Sequence, residues 1–167
     1  MKTVLRTAAA GVAIASLGLS GSAWAATETA TAEAEILAAL DVTLDGTRDT
    51  LDFGSIAESG AGGTVTLTPV GAITCGSGLV CSGTTETPNF DIQGQPGATV
   101  NITLTSSTIS LTSGTDTMGV SLASSSATQV LNGSGVGTFD VGGTLTVGAN
   151  QAVGTYGGSL EVQVAYN

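Results

Sequence analysis

Few side chains in this sequence could do acid–base, nucleophilic or metal chemistry. The 167-residue chain has no histidine, two cysteines, three basic residues and thirteen acids. General acid–base work would fall to carboxylates. Asp49 lies near Asp52, and Glu33 near Glu35. Two carboxylates flanking a sugar bond are what glycoside hydrolysis needs. Residues two apart in an extended segment share a face, however, so a wet strand face explains Glu33 and Glu35 without chemistry. Serines are plentiful, but none stands in a Gly-x-Ser-x-Gly turn or has a recognisable base beside it. The residues predict a protein that is not an enzyme and holds no cofactor.

Metal binding fares little better. Asp45, Asp49 and Asp52 surround the Gly46-Thr47-Arg48 turn, and three carboxylates could ligate a hard cation. Arg48 sits among them, and neither EF-hand nor nonapeptide spacing is present. Solvated turn acids are the preferred reading, with Arg48 paired to Asp45 or Asp52. Cys75 and Cys81 lack the histidine or third cysteine that a zinc site requires. They read as a disulfide at the end of a Gly-containing loop. So short a loop limits its contribution to about 2–3 kcal/mol. Asn101-Ile102-Thr103 and Asn132-Gly133-Ser134 are glycosylation sequons, meaningful only in a host that glycosylates.

The N-terminus sets the compartment in which these groups would work. Lys2 and Arg6 precede an apolar run from Ala8 to Leu19, and Ala23 and Ala25 occupy the positions a signal peptidase reads. Residues 1–25 therefore read as a secretory signal peptide. Export places the chain in the periplasm or at the surface of a bacterium, where a disulfide persists. Cleavage would leave Arg48 as the one basic residue against thirteen acids, with no apolar run long enough to span a membrane. Such a surface repels phosphate backbones and anionic lipid, which argues against nucleic-acid or membrane partners. The remaining length suits one domain with a sizeable core.

Nearly every run in that domain alternates with period two, which predicts strands. Val65 and Leu67 alternate with threonines. Ala98, Val100, Ile102 and Leu104 alternate with Thr99, Asn101, Thr103 and Thr105. Ile109 and Leu111, then Met118, Val120 and Leu122, continue the pattern. Phe139 and Val141 are followed across Gly142-Gly143 by Leu145 and Val147. Leu160, Val162, Val164 and Tyr166 form a terminal strand, and Leu51–Ile56 and Phe90–Ile92 are shorter candidates. Gly94-Gln95-Pro96-Gly97 reads as a turn, and Asn132-Gly133 and Gly142-Gly143 as hairpins. The fold class is all-β, an immunoglobulin-like antiparallel sandwich with an N-terminal extended strand. A β-helix would need a regular repeat, and none of fixed period occurs.

The most unusual segment begins near residue 29. Every even position from Ala30 to Leu44 is apolar: Ala30, Ala32, Ala34, Ile36, Ala38, Leu40, Val42 and Leu44. This exceeds an ordinary strand of about five or six residues. The pattern divides into an extension over 26–35 and a sandwich domain over 36–167, with Ile36–Leu44 as its first strand. A one-faced extension can add to a neighbour's sheet through main-chain hydrogen bonds, with Ala30, Ala32, Ala34 and Ile36 filling pockets. An edge strand of its own sandwich is equally compatible. A helix over Ala32–Leu40 is a third possibility, because Ala, Glu and Leu favour it.

The chain resembles the DUF4402 family, a bacterial exported family without an assigned biochemical function. The resemblance rests on Leu51-Asp52-Phe53-Gly54-Ser55-Ile56, on Gly94 to Leu104, and on Gly143 to Tyr156. The layout is also similar to spore coat U proteins and archaic chaperone–usher pilins. They share an element like Leu51-Asp52-Phe53-Gly54, a Gly-Thr-Tyr sequence, here Gly154-Thr155-Tyr156, and an aromatic near the end, here Tyr166. The pilin resemblance implies an incomplete sandwich completed by the N-terminal extension of the next subunit, with a periplasmic chaperone and an outer-membrane usher as partners. Pilin arms usually carry bulky apolar residues, whereas this one is mostly alanine until Ile36. That substitution gives up roughly 1–2 kcal/mol per pocket.

Two functions are compatible with these residues. One is a structural subunit of a pilus or cell-surface fibre that self-associates by strand addition. The other is a self-complete secreted sandwich whose hydroxyl-rich loops, such as Ser124-Ser125-Ser126, bind a glycan or an envelope component.

Overall fold

A computed structural model describes residues 25–167. The signal-peptide reading falls on residues 1–24, outside the described residues, save for Ala25. The chain divides into two units, one ending at Glu35 and the other running from Ile36 to Asn167. In the first unit, residues 25–35 are exposed and form neither strand nor helix.

The second unit is an immunoglobulin-like antiparallel β-sandwich. Its strands are β1 (Asp41–Leu44), β2 (Ser55–Glu58), β3 (Gly63–Leu67), β4 (Ile73–Cys75), β5 (Leu79–Ser82) and β6 (Asn89–Gln93). They continue with β7 (Thr99–Leu104), β8 (Thr108–Ser113), β9 (Asp116–Ser124), β10 (Thr128–Val130), β11 (Val136–Val147) and β12 (Val162–Tyr166). A large sheet runs β1-β6-β11-β3-β4, with β9 also on β11 and β8 on β9. A three-stranded sheet, β10-β7-β12, and a β2-β5 pair complete the unit.

Alternation explains most of these elements. In β7, Val100 and Ile102 are buried while Asn101 and Thr103 face outward. Gln95-Pro96-Gly97-Ala98 makes the turn before it, one residue later than predicted. The Ala98 amide donates to the Gln95 carbonyl, Pro96 sets the entry angle, and Gly97 supplies φ of +74°. The core has two clusters. One gathers Phe53, Val65, Leu67, Val120 and Leu145; the other gathers Phe90, Ile92, Val100, Leu131, Phe139 and Val141. Phe90 and Phe139 face each other in register, their rings stacked at 5.0 Å.

Further sequence-based expectations need correction. Gly142-Gly143 is not a hairpin but lies inside the twelve-residue β11. Residues 136–140 of β11 pair with β6, and residues beyond them pair with β3 and β9. A Cβ on Gly142 would stand 2.5 Å from Pro69 N, and one on Gly143 would stand 2.8 Å from Val120 Cγ1. Here glycine marks close approach rather than a turn.

The first strand begins at Asp41 rather than Ile36, and 36–40 is neither strand nor helix. Ile36 is 95% exposed. Alternation forms a strand only beside a partner, and β6 offers one only from Gln93, opposite Asp41, to Phe90, opposite Leu44. The segment is instead held by side chains. The Ala38 amide donates to Gln95 Oε1, and the Tyr166 hydroxyl donates to the Ala38 carbonyl at 2.9 Å.

The Arg48 side chain forms an ion pair with neither Asp45 nor Asp52, although its amide donates to the Asp45 carbonyl. Its guanidinium reaches Asp140 on β11 at 2.8 Å, and also donates to the Thr87 carbonyl and hydroxyl oxygens. Folding brings Asp140 to it, whereas the neighbouring acids are engaged in their own turns.

Candidate strand-acceptor groove

β8 is the element around which a site forms. One edge pairs with β9 from Thr108, opposite Ser121, to Ser113, opposite Asp116. Among the described residues, its other edge pairs through a single bridge, Thr112 to Gly157. There the Thr112 amide donates to the Gly157 carbonyl at 2.8 Å, and the Gly157 amide donates back at 3.0 Å. An edge strand with unpaired main-chain groups is a template for another strand.

A cleft of about 390 Å³ lies beside this edge. Leu51, Phe53, Phe90, Ile109, Leu111 and Val120 line it, so it sits at the junction of the two core clusters. Gly157, Gly158 and Ser159 form part of its lining and bring no apolar side chain. Ile109 and Leu111 are accordingly only half-buried. Gly158 lies so close to β8 that a Cβ would stand 2.8 Å from the Ser110 carbonyl oxygen and 2.9 Å from Leu111 Cδ2.

The residues singled out from the sequence are distributed differently. Cys75 and Cys81 form a disulfide, joining β4 of the large sheet to β5 of the β2-β5 pair. Ala30, Ala32 and Ala34 are exposed in the first unit, without a strand partner. Leu160 lines the cleft but precedes its predicted strand, which starts at Val162. Val162, Val164 and Tyr166 pack on the second core cluster, and β12 pairs with β7 in its own domain. The Tyr166 hydroxyl also accepts from the Gln95 amide at 2.7 Å.

The turn acids are occupied locally. Asp45 Oδ1 accepts from the Thr47 amide and hydroxyl, which with Arg48 nearby hold its pKa below the ordinary 3.8. Asp49 accepts from the Thr50 hydroxyl and Asp52 from the Gly54 amide. Among the described residues no three Asp, Glu or Cys side chains gather as metal ligands would. The serine loop is similarly engaged. Ser124 Oγ donates to the Ser126 carbonyl, and Ser125 Oγ accepts from the Asp140 amide.

The β8 edge was missed from the sequence because pairing is a tertiary property. The available signal was Gly157-Gly158-Ser159, a run with no apolar residue where the other segments alternate.

A family model described as "Domain of unknown function (DUF4402)" matches residues 42–166. The chain belongs to the DUF4402 family. The DUF4402 match opens at Val42 in β1 and closes at Tyr166, the last residue of β12. Apart from Asp41, the first residue of β1, it therefore covers every strand, the β8 edge and the cleft included. No curated protein and no solved structure matches the chain.

Proposed function

We propose that this DUF4402 protein is a non-enzymatic structural subunit of a pilus or surface fibre, exported and assembled by strand donation. The acceptor is the outer edge of β8 with its cleft, and the donor is the Thr27–Glu35 segment of a second copy. The observation that carries the reading is an apolar cleft beside a strand edge with one bridge along six residues.

The donor fits in length and in side-chain size. Nine extended residues reach about 30 Å, enough to run the length of a six-residue strand. Ala30, Ala32 and Ala34 would share the face turned to the cleft, with Thr31, Glu33 and Glu35 turned to water. Main-chain hydrogen bonds would supply most of the affinity, and small alanines would suit a shallow cleft. A periplasmic chaperone and an outer-membrane usher are the partners such assembly would employ. A glycan-binding role draws less support, because the Ser124 hydroxyl serves its own turn and the Ser125 hydroxyl oxygen accepts from the Asp140 amide of β11.

The test is deletion of Thr27–Glu35 followed by inspection of sheared surface material. Loss of fibres from cells that still export the folded domain is the expected result. Fibres persisting unchanged would overturn the reading.

A further inference from the structure

We infer that Tyr156–Leu160 is a self-capping latch on the acceptor edge, and that an incoming strand must displace it; this inference rests on the strand-donation reading. The segment lies where a donated strand would lie, but it makes a poor one. It offers β8 one bridge, at Thr112 and Gly157, against the four to six residue pairs typical of the neighbouring ladders. A sheet edge left bare invites indiscriminate pairing, and covering it with a loop is one way a chain avoids this.

The glycines give the latch both its fit and its weakness. Gly158 lets the main chain lie against Ser110 and Leu111, which any Cβ would prevent. Gly157 and Gly158 bring no side chain to the cleft, so Ile109 and Leu111 stay half-buried. Leu160 and Tyr156 hold the ends of the segment. Leu160 packs on the second core cluster, and the Tyr156 hydroxyl donates to the Ala152 carbonyl while accepting from Gln151. Between these anchors, a full strand would replace two main-chain hydrogen bonds by a longer ladder. Exchange is then downhill, yet delayed by release of the latch.

The test locks the latch in the full chain, recovered from an exporting bacterium. Thr112 and Gly157 form a hydrogen-bonded antiparallel pair, whose Cα atoms stand about 5.5 Å apart, within the span a disulfide bridges. A Cβ at Gly157 meets nothing within 4 Å. Oxidised T112C/G157C is expected to stay monomeric where wild type assembles. Reductant should return its assembly to that of wild type in the same reductant. In G158A the Cβ prises the segment from β8, and assembly is expected to start about tenfold sooner, as loss of one or two hydrogen bonds implies. If wild type assembles and oxidised T112C/G157C keeps pace, or G158A is no faster, the latch is wrong and strand donation stands. If wild type itself never assembles, strand donation fails and the latch falls with it.

Discussion

Arg48 and Asp140 lie 92 residues apart in sequence, yet the guanidinium donates to the carboxylate at 2.8 Å, tying the turn after β1 to the middle of β11. The same Asp140 Oδ1 accepts from Asn89 Nδ2, and the same Arg48 Nη2 reaches Thr87 Oγ1. Thr87 is 2% exposed, whereas the ion-pair side chains are 43% and 25% exposed. Water screens the charges, so the Thr87 contact carries much of the value. Arg48→Ala is expected to cost about 1–2 kcal/mol, at most about half of it from the ion pair. Asp140→Asn should cost less, because an amide oxygen still accepts from both partners. Urea unfolding of both variants checks this, and 1 M salt should shrink the Arg48→Ala difference without removing it.

Glycines inside strands should divide by the space around them. Gly142→Ala drives a methyl against the Leu67 carbonyl and Pro69 N, and is expected to destabilise by about 2–4 kcal/mol. Gly119→Ala in β9 meets nothing within 4 Å and has no positive φ. It should be neutral or raise stability by up to about 1 kcal/mol, through a stiffer unfolded chain. Thermal melting of the two variants side by side would show the contrast.

Removing the disulfide should weaken the fold without abolishing it. Cys75 and Cys81 close a loop with a separation of only six residues. C75S/C81S is expected to lose about 2 kcal/mol by the chain-entropy argument. Denaturant unfolding of oxidised wild type and of the double variant measures the loss, and the β-rich circular dichroism spectrum should be retained.

Acid sensitivity has an identifiable contributor at Asp45. Hydrogen bonds from Thr47, first the amide and then the hydroxyl, and the nearby Arg48 charge lower its folded pKa below 3.8. A depressed carboxyl stabilises the fold above the unfolded value and loses that stabilisation as pH falls through the folded value. The loss is therefore confined to pH below about 4. In an NMR titration Asp45 should turn over below 3.8, and Thr47→Val should move its midpoint upward.

Tyr166 makes a further prediction at the other end of the domain. Its hydroxyl accepts from the Gln95 amide and donates to the Ala38 carbonyl. Tyr166→Phe keeps the ring on the core but removes both bonds. The Gln95 amide should then exchange with solvent markedly faster, at a stability cost of about 1–2 kcal/mol.

Much of the sandwich was legible because alternation and burial coincide. Val100, Ile102 and Leu104 announce β7, and Val65 and Leu67 announce β3, since one face of each meets the core. The pattern failed where an element depends on something distant. Gly142-Gly143 carries the sequence of a hairpin, but Leu67, Pro69 and Val120 press on it from β3, its following turn and β9. Even-numbered apolar residues run unbroken from Ala30 to Leu44, yet β6 offers partners only to residues 41–44, and so only to Val42 and Leu44 among them. Arg48 has acids on both sides in sequence, yet its guanidinium forms an ion pair with neither. The candidate site was the least legible part, because an open edge is defined by the strand that is not there. Ile109 and Leu111 read as an ordinary strand, and nothing local distinguishes a paired edge from a bare one.

The central claim is that the outer edge of β8 accepts the N-terminal segment of another copy. The most direct measurement uses the domain lacking residues 27–35, mixed with a synthetic peptide of residues 26–40. Amide exchange at Thr108 and Ser110, which share the outer edge of β8 with Thr112 but make no bridge to Gly157, is followed by NMR. Strand donation requires both amides to become strongly protected as peptide is added, with saturation at one peptide per domain. Unchanged exchange at both positions, with peptide in excess over a folded domain, would contradict it.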